Sequence, residues 1–97
     1  MVKTESYKEN LLEALKNPEA AADYLTACLE DSDVDVFLLA LRDVAEAQGG
    51  IRKLSGRTRL NRENLYRMLS RAGNPSLTSL DSVLSSLGLR LAVAVRQ

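Results

Sequence analysis

Apolar residues recur along this chain at helical spacing, in blocks separated by polar caps, glycine and proline. Tyr7, Leu11, Leu12 and Leu15 mark a first short helix that stops at Asn17-Pro18. Asn17 is a good N-cap with Pro18 at the first helical position and Glu19 in the first turn, so a second helix follows, with Ala21, Ala22, Leu25, Cys28 and Leu29 on one face. A third helix runs to about Gln48 with Phe37, Leu38, Leu41, Val44 and Ala45 as its core face, and Gly49-Gly50 ends it. Ile51, Leu54 and Ser55 share a face of a fourth. After the short connection Thr58, Arg59 and Leu60, a fifth helix opens on Asn61 as N-cap. Leu60 and Leu65 form its hydrophobic staple, and Leu65, Met68 and Leu69 bury it. Gly73-Asn74-Pro75 breaks the chain. Ser76 then caps a last helix with Leu77, Leu80, Val83, Leu84 and Leu87 at core positions, and Gly88 closes it.

The tail changes period. From Leu89 to Arg96 large apolar residues alternate with small or charged ones, which predicts a strand with Leu89, Leu91, Val93 and Val95 on one face. A lone strand leaves its backbone unpaired, and no other segment reads as its mate. Pairing with the same strand of a second copy across a two-fold axis solves this; a frayed end, or a strand lying on its own domain, is the alternative.

Ninety-seven residues make one domain, covering 1–97. The chain has no histidine and one cysteine, which excludes histidine acid/base chemistry, His/Cys zinc sites and an intrachain disulfide framework. Cys28 lies on an apolar stripe with no basic neighbour within a turn, so its expected role is structural. No residue set supplies nucleophile, base and orienter, and neither an enzyme nor a cofactor or metal is expected. No apolar run approaches the roughly 18 residues of a membrane span, and the start lacks the apolar core of a secretory signal, so a soluble, cytoplasmic protein is expected.

The net charge of zero hides a division. Residues 1–48 carry four basic and eleven acidic side chains, a balance of −7, whereas residues 49–97 carry nine basic and two acidic ones, a balance of +7. Such asymmetry points to two different partners. In the acidic half, Glu30, Asp31, Asp33 and Asp35 are either a capped, solvated helix start or a surface for a basic protein. In the basic half, two short helices joined by a tight turn, about 51–57 and 61–71, describe a helix-turn-helix. Arginine suits guanine and asparagine suits adenine in the major groove, and glutamate can accept from cytosine. Arg62, Glu63, Asn64, Tyr66 and Arg67 are therefore the expected base readers. Arg52, Lys53, Arg57, Arg59, Asn61 and Arg71 are the expected phosphate contacts.

The segment 51–89, IRKLSGRTRLNRENLYRMLSRAGNPSLTSLDSVLSSLGL, resembles the lambda-repressor-like helix-turn-helix family, with its Asn-Pro start of the next helix. The segments PEAAADYL, FLLALRDVA and LGLRL extend the resemblance over nearly the whole chain, to the addiction-module antidote proteins, whose members are encoded beside a small RelE/HigB-like toxin. The resemblance implies an all-α fold of five to six helices. It implies an antitoxin that neutralises its toxin by direct binding and represses its own operon, acting as a homodimer on double-stranded operator DNA. One position departs from the family pattern: Arg59 stands where the turn usually has glycine. A protein-interaction module that no longer reads DNA, and a stand-alone phage-type repressor, remain the alternatives.

Overall fold

The central helix of the chain buries more residues than any other. In α3 (Val34–Ala47), Phe37, Leu38, Ala40, Leu41, Val44 and Ala45 are all buried, and the helix packs against α1 (Thr4–Ala14), α2 (Pro18–Asp31) and α4 (Gly50–Thr58). α4 in turn packs on α5 (Arg62–Met68) and α6 (Leu77–Ser86). The structure, a computed structural model, describes residues 4–31 and 33–97, with side chains from residue 6 onward except those of residues 31 and 32. Among the described residues there are six helices and no strand.

Local chemistry explains most of the boundaries. The Asn17 carboxamide oxygen accepts from the Glu19 N–H at 2.8 Å, capping α2. Asp33 occupies the N-cap of α3, but its carboxylate makes no capping hydrogen bond. Gly49 and Gly50 take positive φ, 113° and 89°, and turn the chain from α3 into α4. The α3 and α6 ends are tied together by the Gln48 side chain, whose Nε2 donates to the Leu87 carbonyl at 3.3 Å. Leu15, Leu38, Leu41, Val44, Leu65, Leu69 and Val83 form the most deeply buried set, drawn from α1, α3, α5 and α6 and their ends.

Three expectations need correction. Residues 89–97 form no strand. Leu89 is already committed: its N–H donates to the Leu84 carbonyl at 2.8 Å while that of Gly88 donates to Ser85 at 3.1 Å, the double hydrogen bond of a Schellman closure on α6. Leu91, Val93 and Val95 then run exposed, with no ladder partner to hold them extended. The apolar stripe of α2 is also only partly core. Ala21 and Leu25 are buried and Cys28 packs partly against the core, but Ala22 is exposed and Leu29 is 52% exposed. Leu77, at the start of α6, points outward at 71% exposure.

Candidate nucleic-acid interface

The basic half of the chain presents six of its nine basic side chains on α4, α5 and the turn between them. Hydroxyl groups fix that turn. The Thr58 hydroxyl donates to the Leu54 carbonyl at 2.8 Å, the Leu60 N–H donates back to Thr58 Oγ1 at 3.2 Å, and the Ser55 hydroxyl donates to the Leu60 carbonyl at 2.6 Å. Between them Arg59 adopts the left-handed region, φ 64° and ψ 13°, its N–H donating to the Ser55 carbonyl at 3.0 Å. It is the one non-glycine residue with positive φ among the described residues. Holding an L-residue there costs about 1–2 kcal/mol.

Past the turn, Asn61 caps α5, its side-chain oxygen accepting from the Asn64 N–H at 2.7 Å. The Asn61 carboxamide oxygen is thus already engaged, leaving only its amino group for another partner. Leu65, Met68 and Leu69 seat the helix on the core, with Leu60 packed beside them. With successive side chains about 100° apart, this places Glu63 and Arg67 opposite the buried stripe, and Arg62, Asn64 and Tyr66 on its flanks. All five base-reading candidates are exposed.

The structure divides these residues. Asn64 and Arg67 border a shallow hollow of about 310 Å³ between α5 and the start of α6, which Asn74, Ser76 and Ser79 complete from the other side. Ser76 caps α6 through its hydroxyl, accepting from the Ser79 N–H at 3.1 Å. Tyr66 faces away from this hollow, and the Arg42 guanidinium of α3 lies over its ring, 4.9 Å from the centroid. Arg42, Asn74, Ser76 and Ser79 were not singled out as site residues by the sequence. Their signal is tertiary, because they reach α5 only once α3 and α6 are docked.

Of the phosphate candidates, Arg52, Lys53, Arg57 and Arg59 are exposed and form no ion pair among the described residues. Arg57 reaches the Ser86 carbonyl at 3.4 Å. Arg71 approaches Asp35 at 3.8 Å, with 74% and 31% of the two side chains exposed. A pair this open is weak and can exchange either partner for another ion. It joins one candidate of the basic half to one of the acidic half. Of the remaining acidic candidates, Glu30 and Asp33 are exposed, and the Asp31 side chain lies outside the described residues.

Residues 5–95 match the family model described as probable addiction module antidote protein. The chain belongs to the addiction-module antidote family. A relative from Haemophilus influenzae (strain Rd), described only as an uncharacterized protein, is 31% identical over 91 residues, 93% of each chain. No solved structure matches the chain. Family membership gives this antidote a toxin as its counterpart. No helix among the described residues is long and apolar enough to cross a membrane.

Proposed function

We propose that this antidote is a sequence-specific DNA-binding autorepressor that also neutralises its toxin by direct binding. α4 and α5 act as a helix-turn-helix, with α5 in the major groove. Arg62, Asn64 and Arg67 read base edges, Tyr66 packs against bases or sugars, and Glu63 selects by accepting from cytosine or by repelling phosphate at other registers. Arg52, Lys53, Arg57 and Arg59 hold the backbone and set the register. Its role is binding and not catalysis. The observation that carries this reading is the exposed side of α5: every outward residue is a hydrogen-bonding side chain, and Arg62 and Arg67 have no carboxylate within ion-pair distance among the described residues.

One such helix binds weakly, so a useful operator is a pseudo-palindrome that seats two copies with their reading helices about 34 Å apart. Gel-shift titration against the DNA upstream of the gene tests the reading. Affinity falls steeply with salt, and Arg62→Ala or Arg67→Ala relaxes specificity at a defined base pair, at a cost of about 1–3 kcal/mol each. Binding that ignores both substitutions favours the second reading, a protein-interaction module without DNA readout. Glu63 at the centre of the exposed face is the feature that supports that alternative.

A further inference from the structure

A concavity larger than the hollow beside α5 opens elsewhere on the surface. An open apolar groove of about 410 Å³ runs between α2, the start of α3 and the chain leaving α6, lined by Leu25, Leu29, Phe37, Leu84, Leu89 and Leu91. No residue of α4 or α5 contributes to it. Leu29 and Leu91 remain 52% and 40% exposed, and Ala22 and Thr26 complete the α2 wall. This is where the apolar pattern of α2 overruns the core.

Three carboxylates edge that wall. At about 100° per residue, Glu19, Asp23 and Glu30 fall in one narrow sector of α2 directly beside Ala22 and Thr26. All three are exposed and form no ion pair among the described residues. The trough is apolar, with three carboxylates along its α2 lip and a single basic side chain, Arg90, on the chain leaving α6. A DNA backbone is repelled by the lip. A second copy docked through the same face would offer each stripe of three carboxylates only one basic lining residue, Arg90.

We propose that this groove seats the toxin, and that what enters is a basic amphipathic helix. Its apolar side chains fill the space between Leu29, Phe37 and Leu91, and its lysines or arginines lie along Glu19, Asp23 and Glu30. The inference rests on the antidote reading above and adds the surface and the chemistry of the partner. The groove shares no residue with the proposed DNA-contacting set, so toxin and operator do not compete for the same side chains.

The test uses the full chain and the protein encoded by the reading frame adjacent to its gene, with affinity measured by titration of the purified pair at two salt concentrations. Leu29→Glu is expected to weaken toxin binding at least about tenfold, the loss typical when an apolar anchor becomes charged. The triple variant Glu19→Lys, Asp23→Lys, Glu30→Lys is expected to slow association and abolish its salt dependence. Because all four positions are exposed, both variants should keep wild-type helicity and operator binding. Toxin binding unchanged in both variants overturns the groove while leaving the antidote reading intact. Wild-type chain that neither binds the neighbouring product nor relieves its toxicity removes the antidote reading and the groove together. A toxin-free dimer that dissociates on Leu29→Glu assigns the groove to a second copy instead, and also overturns the proposal.

Discussion

The guanidinium of Arg42 lies over the ring of Tyr66, 4.9 Å from its centroid. This contact clamps the flank of α5 to α3, and it carries a positive charge from the acidic half of the sequence to the edge of the basic face. At a half-exposed tyrosine such a contact is worth about 0.5–1 kcal/mol. Arg42→Ala should therefore lower stability by that amount and reduce operator affinity, while Tyr66→Phe keeps the stacking and most of the stability. Thermal melts and gel shifts on both variants separate the two effects. Unchanged operator binding in Arg42→Ala would place Tyr66 outside the DNA contact.

Arg59 holds the left-handed turn between α4 and α5 where glycine would be strain-free. Arg59→Gly should raise stability by up to about 1–2 kcal/mol, less the entropy that glycine adds to the unfolded chain. If the arginine is retained for a phosphate contact, the same variant binds operator more weakly, and its log–log salt slope drops by about one. Higher stability with unchanged DNA binding would dismiss the contact.

Glycine at position 73 has a different reason. Its φ is not in the left-handed region, but a Cβ there would be driven into the Met68 carbonyl, the last residue of α5, which is backbone and has nowhere to go. Gly73→Ala should cost about 1–3 kcal/mol, as overpacking does, and tilt the end of α5. Denaturant unfolding gives the first number. A matching loss of operator affinity at temperatures where the variant remains folded gives the second.

Helix boundaries were legible wherever a local rule fixed them. The caps at Asn17, Asn61 and Ser76 and the Gly49-Gly50 turn all depend on residues a few positions apart. Two kinds of signal misled. Alternation in the tail reports which side chains share a face, but a strand also needs a ladder partner, and Leu89 is spent on closing α6. Apolar periodicity identifies a face and not what covers it, so Ala22, Leu29 and Leu77 read as core although solvent reaches them. Arg42 was invisible for a third reason: its role depends on where α5 docks, which no local pattern encodes.

The packing of α2 on α3 partly buries one ionisable contact whose pH dependence can be worked out. Tyr24 on α2 donates its hydroxyl to the Asp43 carboxylate on α3 at 3.0 Å. Burial first, and then the hydrogen bond and negative charge of Asp43, push the tyrosine well above its ordinary value. In the unfolded chain it loses its proton near pH 10, as an ordinary tyrosine does. Below that pH both states hold the proton, and the contribution to stability is fully present. Above it the unfolded state binds fewer protons than the folded one, so stability falls as pH rises toward the folded value. The melting temperature of the wild type should therefore start to drop above about pH 10, whereas Tyr24→Phe begins lower, by roughly 1 kcal/mol for the missing hydrogen bond, and shows a shallower alkaline decline. Parallel alkaline profiles for the two proteins would mean that Tyr24 keeps an ordinary value and that the α2–α3 contact rests on apolar packing alone.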